Sequence, residues 1–322
     1  MALSSPDHTL GITLSKWSGI TPLPTKVDCL EFMTPECLRQ LYNIPPPDCD
    51  PTHPNSTLGI YTQPWSALLD ADLDSFNAQF HPDLNVENNV DIQYATSIAF
   101  PHPVTIIQVG SRTQVGNTNL RLAAFDADYC ASGGIEPAYD MLPPDPVHNP
   151  SNHADCGTVD PPEVITISYA WNEADFTPRY PAASAKSSST SACAASPSSP
   201  PWATGASPTS CTSAETAMAS RHPHLSTSSR FSNLFPRPLY ESPSVPSYLS
   251  SHNMSHHLPS GIFNSAGRGY PEISLLAVDY LAPSNGGLPR ASGTSVAAPV
   301  VAGMVARVNG GRVRRWKGTV GV

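Results

Sequence analysis

Apolar residues along this chain recur with two different periods, separated by proline-rich connections. In CLEFMTPECLRQLYNIP, Thr34 stands before Pro35 and Glu36, and Leu38 and Leu41 lie three apart. That pattern predicts a helix that starts at Pro35 and stops before Pro45. TLGIYTQ reads as a short strand. The segment 66–80 sets Leu69, Leu73, Phe76 and Phe80 on one helical face. A second helix is predicted over 87–100 from Val90, Ile92, Ala95 and Ile98. VTIIQVG at 104–110 and EVITISYA at 163–170 are β-branched apolar runs of the kind found in strands covered on both faces of a parallel sheet. Alternating strands and helices predict a doubly wound α/β fold with helices on both faces of the sheet.

The alternation stops at residue 181. The stretch 181–220 is almost entirely Ser, Ala, Pro and Thr, lacks an apolar period, and cannot bury enough surface to offset the entropy of ordering it. A disordered segment is therefore expected over 181–228. Pattern returns in FSNLFPRPLYESPSVPSYLSSH and GRGYPEISLLAVDYL, where Ile273–Val278 is predicted to be a buried strand. It continues in SGTSVAAPVVAGMVARVN, with a helix expected over about 296–308 and Pro299 in its first turn. The organisation predicted is a leader over 1–28, peptide-chain segments 29–180 and 229–309 forming one domain, and a basic aperiodic tail over 310–322.

Composition narrows the function classes. The chain has 322 residues, 17 Lys plus Arg against 26 Asp plus Glu, and a formal charge of -9. Without a basic run to hold a phosphate backbone, nucleic acid is not an expected partner. The apolar run Val296–Ala306 is too short to span a bilayer, which takes roughly 18 residues, so no membrane association is expected. The first residues, MALSSPDHTLGITLSKW, show no secretory signal pattern. Seven cysteines without CxxC spacing favour disulfides over a zinc site. Asn55 and Asn253 open glycosylation sequons.

Two groups of residues point to chemistry. In SGTSVAAP a small-residue turn delivers Ser295 to the start of an apolar helix, where free amide groups and the helix dipole stabilise developing negative charge. Such a position suits a nucleophile, although a helix-opening serine is also the ordinary cap of a core helix. A serine nucleophile needs a base and an orienting partner. The histidines lack the glycine-rich neighbours of a subtilisin-type site, and no DSG or DTG is present. Glu87 and Asp91, in ENNVD, are four apart and would project from one helical face, where two carboxyls can share a proton. A carboxylate base stays competent in acid, where histidine is charged. In isolation the same pair would read as a solvated acidic face.

Taken together, these strings resemble the fungal tripeptidyl-peptidases of the sedolisin family, a group of serine-carboxyl peptidases, across 29–180 and 229–309. CLEFMTPECLRQLYNIP is similar to the segment that opens the family's mature catalytic domain. ENNVDIQYA is similar to its base-bearing helix, and EVITISYAWNEAD to its cleft-lining strand, with Ala170 where the family usually has glycine. FSNLFPRPLYE, GRGYPEIS and SGTSVAAPVVAG complete the likeness. The resemblance implies a subtilisin-like fold and peptide-bond hydrolysis at acidic pH, by tripeptide release or internal cleavage of a peptide or protein substrate. It assigns Ser295 as nucleophile, Glu87 as base, Asp91 as the residue holding Glu87, and Cys130 with Cys156 as a loop cysteine pair. A secreted, extracellular monomer is expected.

The chain departs from the family pattern in its oxyanion and calcium residues. The family's oxyanion-stabilising aspartate would fall between Tyr180 and Phe231, yet no aspartate occurs from Phe176 to Val278. Calcium is the family's cofactor, and after Asp279 the chain has neither Asp nor Glu to ligate it, so that site is expected to be missing. The family's large prodomain is not visible at the N-terminus. These departures support a second expectation, a non-catalytic relative that at most binds peptides.

Overall fold

A computed structural model describes residues 29, 31–46, 56–62, 90–108, 118–131, 156–168, 230–251, 263–270, 273, 275–283, 288–315 and 317. The predicted helix over 66–80, the residues 109–110 and 169–170 that end two predicted strands, the Ser/Ala/Pro/Thr segment 181–228, the leader over 1–28 and the sequon residues Asn55 and Asn253 lie outside the described residues, as does Glu87.

The first helix, α1 (Pro35–Leu41), begins where its capping pattern requires. The Thr34 hydroxyl accepts the Cys37 amide at 3.3 Å, and Pro35 occupies the first turn, where an N–H has no intrahelical use. Cys37 is disulfide-bonded to Cys29, which staples the incoming chain to the helix. Cys156 is also disulfide-bonded. The side chain of Cys130, its expected partner, is outside the described part.

Strands β1 (Leu58–Thr62), β2 (Val104–Gln108) and β3 (Val164–Ile167) form a parallel sheet in the order β2-β1-β3, with Leu58 level with both Val104 and Val164. Helix α2 (Val90–Ala99) connects β1 to β2, the crossover that a parallel pair needs. Side chains alternate across the sheet. Leu58 and Ile60 face Ile92, Ala95 and Ala99 of α2, together with Ala302 and Ala306 from the last helix. On the opposite face Arg121, in α3 (Thr118–Phe125), lies beside Tyr61, and the short α4 (Ala127–Ala131) follows it. The α/β character and the parallel sheet are thus as predicted.

The second half adds antiparallel pairs that the apolar pattern did not announce. Strand β4 (Arg230–Pro236) pairs with β5 (Gly267–Tyr270), and between them come a 3-10 turn at Leu239–Glu241 and helix α5 (Ser244–Ser251). Strand β6 (Tyr280–Leu281) pairs with β7 (Arg290–Ala291). The strand predicted over Ile273–Val278 does not form among its described residues. Ile273 is exposed, and Leu275 and Ala277 are buried without a ladder partner. Their backbone groups are used elsewhere: the Leu276 amide donates to the Tyr42 hydroxyl at 2.7 Å, and the Ala277 carbonyl accepts the Gly293 amide at 2.9 Å. An apolar run reports burial, and here burial comes from side chains packing into the α1–α2 core.

The last helix, α6 (Thr294–Val313), is longer than predicted. It runs into the segment read as an aperiodic tail because Gly310 leaves room for the His102 ring, which would lie 2.3 Å from a β-carbon there. Helix α6 crosses α2 at Gly303, where a β-carbon would stand 3.0 Å from Ile98 Cβ and 3.1 Å from the Ala99 amide nitrogen. One of those neighbours is backbone and cannot yield cheaply. Gly303→Val should therefore push the two helices apart and destabilise the fold by roughly 1–3 kcal/mol. Urea unfolding checks this, and a midpoint equal to that of the unaltered chain would contradict the close crossing.

Candidate active site

Three elements meet at the carboxyl edge of the sheet, the edge at which open α/β folds place their ligands. Strand β3 ends at Ile167 and hands the chain to Ser168. Helix α2 brings Asp91 in its first turn, and α6 brings Ser295 in its first turn. Gly293 caps α6 with φ 147°, a left-handed value that residues with a side chain rarely adopt. The bond from its amide to the Ala277 carbonyl fixes that turn. The glycine in SGTS is thus required by the turn that presents the serine.

Pro299 lies in the second turn of α6 rather than the first, which corrects the expectation from sequence. At that position the missing amide matters, because an ordinary residue there would donate to the Ser295 carbonyl four positions back. The vacated carbonyl accepts the Ser168 hydroxyl instead, at 3.1 Å. In return the Ser295 hydroxyl lies 3.4 Å from the Ser168 carbonyl. The two serines therefore hold the end of β3 against the start of α6 by a reciprocal pair of contacts.

Behind them sits Asp91. It is buried, and its carboxyl hydrogen-bonds the Ser168 side chain. Burial raises its pKa from an ordinary 3.8 to about 6, against the smaller lowering effect of the Ser168 hydroxyl. The site grades outward from a buried carboxyl, through half-buried Ser168, to an exposed Ser295. Two of the predicted site residues, Asp91 and Ser295, are thus joined by a third that sequence reasoning passed over. Its signal was a hydroxyl at the end of EVITIS, in a string that resembles a cleft-lining strand.

Other contacts keep α2 in place. The Tyr94 hydroxyl is 2.9 Å from the Met33 carbonyl and 2.8 Å from the Leu281 carbonyl, and Gln93 donates to the Pro283 carbonyl at 3.1 Å. These bonds tie the Asp91 helix to the β6 region, which leads through β7 into the Ser295 turn. Among the described residues, no three His, Cys, Asp or Glu side chains gather as a metal site, and no helix is long and apolar enough to cross a membrane.

Fold and site define a class first: an α/β protein that sets a serine hydroxyl at the head of a buried helix, in front of a buried carboxyl that holds its proton into mildly acidic pH. No protein-family model matches the chain. It is 30% identical to tripeptidyl-peptidase SED1 of Arthroderma otae over an alignment 384 positions long, covering 91% of this chain and 56% of that protein. It is 26% identical to aorsin of Aspergillus oryzae, covering 91% of this chain and 58% of the other. Identity reaches 45% over 87 residues of tripeptidyl-peptidase 1 of Bos taurus, 26% of this chain and 15% of that one. The chain is homologous to the tripeptidyl-peptidases of the sedolisin family. It spans a little over half the length of the curated relatives that it matches along most of its own.

Proposed function

We propose that this chain carries the catalytic unit of a sedolisin-type serine peptidase that hydrolyses peptide bonds in acid, releasing tripeptides from free N-termini. The observation that carries this reading is the convergence of Ser295, at the head of α6, with buried Asp91 in a chain homologous to tripeptidyl-peptidases over 91% of its length. The Ser295 hydroxyl attacks the scissile carbonyl while its proton passes to Glu87. Glu87 returns that proton to the leaving amine, and water then releases the acyl group from Ser295. Asp91, protonated below about pH 6, holds the Glu87 carboxylate by a hydrogen bond. The first amides of α6 offer donors to the oxyanion.

Segments 29–180 and 229–309 form one catalytic unit in this proposal, supported by α2 and α6 packing on each other and on β1. A subtilisin-like architecture is consistent with the parallel sheet and the sedolisin relatives. Disulfides at Cys29–Cys37 and Cys156 favour an oxidising, extracellular setting. Calcium does not fit the residues that follow Asp279, which include no carboxylate side chain, and no step is assigned to it. One observation favours a non-catalytic peptide binder: no aspartate lies between Phe176 and Val278 to serve the oxyanion. Losing one such donor costs on the order of 100- to 1,000-fold in turnover.

The test is cleavage by the purified, folded chain of a tripeptidyl reporter with a free N-terminus and of an N-blocked peptide, from about pH 4 to about pH 7. Acid-favoured cleavage restricted to the free-N-terminus reporter is expected, falling as Asp91 ionises near pH 6. Cleavage of the blocked peptide would replace tripeptide release with internal cleavage. No cleavage of either by a folded chain would overturn the peptidase reading in favour of the binder.

A further inference from the structure

The Ser168 hydroxyl has one proton and two acceptors. Its oxygen is 3.1 Å from the Ser295 carbonyl, which Pro299 deprives of the usual helical amide, and it is hydrogen-bonded to the Asp91 carboxyl. A hydroxyl donates once but accepts as well. With Asp91 protonated, the neutral carboxyl is only a weak acceptor, and the Ser168 proton stays on the Ser295 carbonyl. With Asp91 ionised, the carboxylate has no proton to give and competes for the one on Ser168. The charged groups on the helices packed against α2, Glu36 and Arg39 of α1 and Arg307 and Arg312 of α6, do not contribute to the Asp91 shift, and the nearby phenols of Tyr94 and Tyr280 titrate far higher. We propose that Ser168 is a positioning residue of this site, a proton-directed link through which neutral Asp91 secures the Ser295 backbone and ionised Asp91 releases it.

Its effect on rate rests on the peptidase reading above, but the link itself can be measured in a chain that cleaves nothing. The experiment follows the Asp91 carboxyl by carbon-13 NMR against pH, with the signal assigned by its loss in Asp91→Asn. In Ser168→Ala the carboxylate loses a donor, so its titration should move upward by roughly one pH unit, and Ser168→Thr should bring it back. An Asp91 midpoint unchanged in Ser168→Ala would overturn the link. Should the alanine variant fail to fold, Ser168→Cys keeps the size with a weak donor. There an upward shift supports the link and an unchanged midpoint overturns it. In the cleavage assay, Ser168→Ala should lower kcat on the order of tenfold with KM nearly unchanged, and Ser168→Thr should restore it. A shifted midpoint without cleavage by the unaltered chain would sink the peptidase reading and leave the link standing. Cleavage by the unaltered chain with an unshifted midpoint would do the reverse.

Discussion

Ser295→Ala is expected to abolish peptide cleavage, with a loss on the order of 10,000-fold or more, while leaving the fold intact. The two halves of that expectation come from different observations. The chemical half follows from the role proposed for the hydroxyl. The structural half follows from its surroundings. Ser295 is exposed, and its hydroxyl makes one long contact, at 3.4 Å, with the Ser168 carbonyl. Surface substitutions of this kind change stability by about 0.5 kcal/mol or less. Steady-state cleavage at about pH 4 and urea unfolding at the same pH separate the two. If the alanine variant cleaved as fast as the unaltered chain, Ser295 would not be the nucleophile. Loss of both activity and fold would instead make Ser295 a structural cap of α6.

Stability should fall as pH rises from about 4 to about 6, and Asp91→Asn should remove that part of the dependence. Burial holds the carboxyl proton in the folded chain to about pH 6, whereas the unfolded chain releases it near its ordinary 3.8. Between those values the folded state binds more protons than the unfolded state, so each increment of pH favours unfolding. Above about pH 6 both states have released the proton and the contribution is constant. A difference of about two pH units corresponds to about 3 kcal/mol of stability present in acid and lost at neutrality. The measurement is urea unfolding of the chain and of Asp91→Asn across pH 4 to 7. Their difference in unfolding free energy should change through this window, and a flat difference would show that Asp91 is not held neutral. The direction suits the proposed acid peptidase, whose site carboxyl keeps its proton in the range where Asp91 contributes most to stability.

Much of the framework was legible because it depends on local pattern. Thr34 and Pro35 announced the start of α1, TLGIYTQ announced a short strand, and the β-branched runs at 104–110 and 163–170 announced two strands of a parallel sheet. Asp91 and Ser295 were singled out by their strings, and the relatives agree with the family those strings suggested. Glu87 remains defined by spacing alone, since it lies outside the described residues. The strand expected over Ile273–Val278 failed because burial does not specify a ladder partner, and the donors and acceptors available to that segment were a tyrosine hydroxyl and a helix-capping glycine.

What the amino-acid order determined by itself was the start of α1, the three strands of the parallel sheet, and the chemistry that each side chain can perform. The environment of those side chains was decided only by tertiary structure. Asp91 holds its proton to about pH 6 because packing around α2 removes it from water. Pro299 frees a carbonyl in any helix, but only the arrival of β3 supplies Ser168 to occupy it. Those contacts join residues far apart in the chain, and their energies depend on which surfaces meet, which no local pattern encodes.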